Sequence, residues 1–324
     1  MVQADHTQPV KTPQLAQRIT QMLGKAIVGQ QTVIEQMLVT VLARGHVLME
    51  GVPGVAKTLL VRALARCLDL DFTRVQLTPD LMPSDIIGTH VFDSTTNEFH
   101  LHRGPIFTTL LLADEINRAP AKTQSALLEA MQERQVTIEG ETCRLDEDFA
   151  VFATQNPIEY EGTYPLPEAQ LDRFLLKIVV DYPTAEEEDE LLARTHQGFD
   201  AQQLEEAGVE PVATADDLAG CREEILQVNV EEPVLHYIGE IIRRSRDSGQ
   251  LVLGCSPRAA VMLLQASKAL AAARGGQFVT PDHIKAIAAP VLRHRLILHP
   301  EADIEGLVPD DIVHNILSSV AVPR

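Results

Sequence analysis

A lysine and a threonine stand side by side, Lys57-Thr58, at the end of the glycine- and proline-bearing stretch Gly51-Val52-Pro53-Gly54-Val55-Ala56. Residues of these types in this order can hold a phosphate. Glycine lets the backbone curl until successive N–H groups point at phosphate oxygens. A helix starting near Lys57 adds the positive end of its dipole at the same spot. The Lys57 ammonium then reaches the outer phosphates, and the Thr58 hydroxyl becomes a ligand for Mg²⁺. Ala56 departs from the usual G-x-x-x-x-G-K-[ST] pattern, because it stands where a second glycine is expected. Alanine is tolerated there if the backbone is already helical.

Two carboxylates supply the rest of the chemistry. The apolar run Phe107-Thr108-Thr109-Leu110-Leu111-Leu112-Ala113 ends in Asp114-Glu115. A strand buried in a parallel sheet reads this way, and its C-terminal end is where such sheets place ligands. Asp114 is expected to hold Mg²⁺, directly or through water, and Glu115 to polarise an attacking water as general base. Asn156 follows a further apolar strand, Phe149-Ala150-Val151-Phe152-Ala153-Thr154, which brings its amide to the same edge. There it can orient water against a terminal phosphate, although an Asn-Pro turn accounts equally well for its position.

The elements that position these groups alternate between strand and helix. His46-Val47-Leu48-Met49 before the phosphate loop reads as a buried strand, and Leu59 opens a helix after it. With 72–77, 107–115, 149–154 and 175–180 this makes five candidate strands. They predict an α/β fold, a doubly wound parallel sheet of the P-loop type. Residues 89–103 and 135–145 alternate around turn-prone clusters and read as two inserted hairpins. Beyond Pro183 the strand signal ends, and helices are expected over 186–196, 215–227, 233–248, 256–274, 281–294 and 309–319. The resulting division is a flexible arm (1–13), a nucleotide-binding core (14–183), a linker region (184–214) and a small all-helical domain (215–324). Arg258 falls in the first turn of one of those helices, where its charge opposes the helix dipole. It either serves a ligand or is simply solvated.

The 324 residues carry a formal charge of −19, which argues against sequence-independent binding to nucleic acid or anionic lipid. No apolar run is long enough to span a bilayer, and the polar start lacks a signal-peptide core. Cys67, Cys143, Cys221 and Cys255 are widely spaced, as expected of reduced thiols in the cytoplasm.

Taken together, these pieces resemble an AAA+ ATPase of the MoxR family. The resemblance rests on Glu50 to Thr58, on Ala113-Asp114-Glu115-Ile116-Asn117-Arg118-Ala119-Pro120 through Leu127-Leu128-Glu129-Ala130-Met131, on Phe152-Ala153-Thr154-Gln155-Asn156-Pro157 and on Leu171-Asp172-Arg173-Phe174. It implies an AAA+ core followed by a helical lid, with ATP and Mg²⁺ as cofactors. It places Val28, Gly29 and Gln30 near the adenine and makes Asn156 the first sensor. Arg173 becomes the arginine finger, reaching the γ-phosphate of a neighbouring subunit, and Arg258 the second sensor. The two hairpins correspond to inserts that line a ring pore or face clients. The implied assembly is a hexameric ring. The implied work is chaperone-like remodelling of partner proteins, often ones with a von Willebrand factor A domain. A DNA-acting motor and a metal-chelatase-like ATPase subunit are the competing readings. The acidic charge and the lack of an added DNA-binding module weigh against the first, and only the partner separates the second.

Overall fold

The structure, a computed structural model, describes residues 11–157 and 163–323. The chain starts with α1 (Lys11–Leu23) and α2 (Gln31–Leu42), then runs through β1 (Val47–Glu50), α3 (Lys57–Cys67) and β2 (Phe72–Gln76). A short α4 (Pro83–Ile87) leads into a hairpin, β3 (Gly88–Asp93) and β4 (Glu98–Arg103). Next come β5 (Leu110–Asp114), α5 (Ala121–Glu133) and a second hairpin, β6 (Gln135–Ile138) and β7 (Glu141–Arg144). Strand β8 (Ala150–Gln155), α6 (Glu168–Leu171) and β9 (Leu176–Val179) complete the sheet region.

Strands β2, β5, β8, β1 and β9 lie in that order in one sheet, each pair of neighbours parallel. Side chains alternate between its faces and feed two separate cores. Val47, Met49, Leu110, Leu112, Phe152, Leu176 and Ile178 enter one, while Leu48, Leu111, Ala113, Val151 and Ala153 enter the other. Because both faces are covered, a central strand must be apolar at every position, which is why Leu110-Leu111-Leu112-Ala113 shows no alternation. All of these strands end at the same edge, and the phosphate loop leaves β1 there.

The remaining chain is mostly helical: α7 (Ala185–His196), α8 (Ala215–Gln227), α9 (Glu232–Arg246), α10 (Pro257–Ala273), α11 (Pro281–Leu292), α12 (Pro300–Ile304) and α13 (Pro309–Ser319). Leu218, Ile241, Leu263, Ile284 and Ile312 from this region join the first of the two cores, which continues unbroken from the sheet into the lid helices. The expected loss of strand beyond Pro183 does not hold. Strands β10 (Leu251–Leu253) and β11 (Ile297–Leu298) form a small antiparallel ribbon, too short to register as periodicity.

Two other expectations are revised. Of the arm at 1–13, residues 1–10 lie outside the described residues, but Lys11, Thr12 and Pro13 are helical. The backbone N–H groups of Lys11 and Thr12 donate to the Glu224 carboxylate on α8 at 2.8 and 2.9 Å, which satisfies orphan donors at the start of α1. Within the linker region expected at 184–214, the part after α7 is bound along α3. Arg66 Nε donates to Val209 O at 2.7 Å, and Val212 N donates to Cys67 O at 2.8 Å. Leu204, Val209 and Ala213 are buried there.

Candidate active site

A cavity of about 460 Å³ opens at the C-terminal edge of the sheet. Residues 53–59 of the phosphate loop form one wall, and Asp114, Glu115, Thr154 and Asn156 form the other. The loop's shape follows from two glycines. A Cβ on Gly51 would sit 2.3 Å from Val180 O, so only glycine lets β1 and the end of β9 approach this closely. Gly54 has φ +89°, a region open to glycine. Ala56 corrects the expectation that its backbone would already be helical. It is left-handed, with φ 60° and ψ 21°, and stands as the N-cap of α3. Lys57 begins the helix. Its ammonium donates to Gly51 O and, at 2.9 Å, to Val52 O. Burial pulls the Lys57 pKa below the ordinary lysine value, opposed by the nearby carboxylates of Asp114, Glu115 and Glu50.

The acidic wall is held by hydrogen bonds from other strands. Asp114 is buried at the end of β5. Thr154 Oγ1 on β8 donates to Asp114 Oδ1, and Thr58 Oγ1 lies 3.4 Å from Asp114 Oδ2. Glu115 leaves the strand in a left-handed conformation, φ 58°, and its N–H donates to Thr154 Oγ1 at 2.9 Å. Its carboxylate pairs with Arg118 Nη1 at 3.0 Å. Hydroxyl and carboxylate oxygens are the hard donors that Mg²⁺ takes, so Thr58 and Asp114 fit that ion.

Val28, Gly29 and Gln30 do not line this cavity. They sit beside it, at the end of β9, where Gln30 Nε2 donates to Asp181 O at 3.0 Å. Gly29 backs onto the Glu187 carboxylate of α7.

Arg173 and Arg258 are not brought to the phosphate loop. Arg173 precedes β9, as His46 precedes β1, so both lie at the opposite ends of these parallel strands. There Arg173, Arg258, Arg44, Arg134 and His46 line a second cavity of about 340 Å³. Among the described residues neither Arg173 nor Arg258 has an ion-pair partner. The two are tied together through Asp172. Its Oδ1 accepts from Arg295 Nε at 2.7 Å, and its Oδ2 accepts from Ser256 Oγ, the N-cap of the helix carrying Arg258, at 3.0 Å. His46 is buried between strands, accepting from Val151 N at Nδ1 (3.0 Å) and facing Met131 O at Nε2 (2.9 Å). Burial pushes its pKa down to about 4.

Several residues that shape both cavities escaped the sequence reading: Arg74, Arg118, Asp172 as a brace, and Arg295. Each acts through a partner that only the fold brings near, apart from Arg118, whose spacing of three from Glu115 on a short turn was a usable signal.

Residues 46–176 match the family described as "ATPase family associated with various cellular activities (AAA)", and residues 243–316 match the "AAA lid domain". The chain is 45% identical to the uncharacterized protein YeaC of Bacillus subtilis over 309 residues, 93% of this chain and 95% of that protein. It is 44% identical to the chaperone MoxR1 of Mycobacterium tuberculosis, covering 93% of this chain and 80% of that one. A crystal structure of a candidate ATPase from Cytophaga hutchinsonii superposes with a TM-score of 0.87 at 42% identity, covering 97% of each chain. With an AAA core, a helical lid and this extent of identity, the chain belongs to the MoxR family of AAA+ ATPases.

Proposed function

We propose that the chain hydrolyses ATP with Mg²⁺, works as an oligomeric ring, and uses the cycle to remodel, assemble or activate partner protein complexes. The observation that carries this reading is the separation of charges. The phosphate loop and its acids stand at one end of the strands. Two arginines without ion-pair partners among the described residues stand at the other, a placement that suits them to another copy's nucleotide.

In this reading Lys57 and the loop N–H groups hold the phosphates, Leu59 packs beside them, and Thr58 and Asp114 hold the metal. Mg²⁺, when bound, neutralises charge that develops on the transferred phosphoryl group. Glu115 takes a proton from the attacking water once its carboxylate leaves Arg118, and Asn156 orients that water. Val28, Gly29 and Gln30 flank the adenine. Arg173 and Arg258 act together on the nucleotide of a neighbouring subunit, a role one subunit cannot fill for itself. A relative bearing the name chaperone supports protein clients. Von Willebrand factor A domain partners and a cytoplasmic location belong to the same proposal.

The test is the ATPase rate per subunit against protein concentration, alongside mass by light scattering. The rate should rise as a larger assembly forms. Mixing Arg173→Ala with Lys57→Ala, each inactive alone, should restore part of the activity at interfaces that combine an intact loop with an intact arginine. A concentration-independent rate from a monomer, with no rescue on mixing, refutes the shared site.

A further inference from the structure

The oxygen of Asp114 that faces the Thr58 hydroxyl is already engaged by another cation. A metal held between Thr58 Oγ1 and Asp114 would rest on Oδ2, because Oδ1 accepts from Thr154. Yet Oδ2 also accepts from Arg74, at 2.7 Å from Nη2 and 3.1 Å from Nε. Arg74 lies on β2, the strand paired with β5, and its half-exposed guanidinium lines the same cavity as the phosphate loop. Asp114 itself is buried, so a charge left without a partner there would be costly. One oxygen cannot carry a guanidinium and a divalent ion together without strong repulsion between the two cations.

We propose that Arg74 is a positioning residue, the internal counter-cation of Asp114, which holds the carboxylate aimed before the metal arrives and gives up Oδ2 to Mg²⁺. The inference rests on the metal site proposed above. It follows that Arg74 competes with Mg²⁺. Two charge-assisted hydrogen bonds, discounted for the exposure of the guanidinium, correspond to about a tenfold competition.

The experiment is binding of a fluorescent ADP analogue to the full chain while Mg²⁺ is varied, with thermal denaturation in chelator as a second readout. Arg74→Ala should lower the half-saturating Mg²⁺ about tenfold. It should also melt earlier than wild type in chelator, with the gap closing when Mg²⁺ and the analogue are added. Arg74→Lys keeps the charge but not the fork, and should fall between the two on both readouts. A clear wild-type Mg²⁺ midpoint that both variants leave unchanged, or raise, overturns the role of Arg74 alone. Wild-type binding with no Mg²⁺ dependence overturns the metal site, and this inference with it.

Discussion

Asp172 is the residue whose loss should separate the arginine end of the molecule from the phosphate end. It stands beside Arg173 and accepts from Arg295, a residue only 6% exposed whose guanidinium also donates to the carbonyls of Val291 and Phe174. Burial lowers the Arg295 pKa, and hydrogen bonding and attraction from Asp172 oppose that fall. Asp172→Asn keeps the shape and removes the charge, so Arg295 is left buried with neutral carbonyls alone. Breaking a buried pair by removing one partner costs roughly 3–5 kcal/mol. The lower end, about 3 kcal/mol, applies here because the carbonyls remain. At about 2 °C per kcal/mol for a chain of this size, the melting temperature should fall by roughly 6 °C. The Ser256 hydroxyl also loses its ionised acceptor, which loosens the start of the helix that carries Arg258. Turnover should therefore drop at least tenfold, while affinity for ADP, held at the far end of the strands, should change less than twofold. Scanning calorimetry, steady-state ATP hydrolysis and ADP binding read the three quantities. A melting temperature within 1 °C of wild type, as a rough threshold from the same scaling, refutes the energetic argument. Equal losses of turnover and ADP affinity refute the separation of the two ends.

Lys57→Ala should abolish nucleotide binding in equilibrium measurements, whereas Glu115→Gln should bind ATP and fail to turn it over; normal turnover in the glutamine variant would remove Glu115 as the base. Ala56→Gly should stabilise the chain by about 0.5–1 kcal/mol in denaturant titrations, because a left-handed φ costs alanine more than the added chain entropy of glycine; a destabilised variant contradicts this. Acid should weaken the fold through His46. Its folded pKa of about 4 lies below the unfolded value of 6.5, so the unfolded chain binds the proton first, and stability present above pH 6.5 is lost as pH falls toward 4. The full contribution is about 3 kcal/mol, and a His46→Leu chain should show a correspondingly shallower pH slope between pH 7 and 5. An unchanged slope would assign the acid sensitivity elsewhere.

The parts of the site legible in the sequence are those carried by contiguous residues. The loop from Gly51 to Thr58 and the acids after Leu110-Leu111-Leu112-Ala113 announce themselves, because local geometry and burial on both faces of a strand dictate their residue types. Arg74 gave no such signal. Its meaning depends on β2 lying next to β5, an order that alternation along a strand does not encode. Asp172 and Arg295 were silent for the same reason, being 123 positions apart. The left-handed backbone of Ala56 was hidden because residue identity pointed away from it. The ribbon of β10 and β11 escaped through brevity.

Arg173 and Arg258, without ion-pair partners among the described residues, have a further consequence when set against the charge of the whole chain. Each copy carries −19, so copies approaching in dilute buffer repel over a long range. At an ionic strength of about 0.15 M the Debye length shrinks to about 8 Å, and that repulsion is largely screened. The proposed contact between Arg173, Arg258 and a neighbour's phosphates would be shorter in range and fail only in stronger brine. On the proposed reading, turnover should therefore pass through a maximum as salt is raised, climbing while mutual repulsion is screened and declining once the cationic socket is screened too.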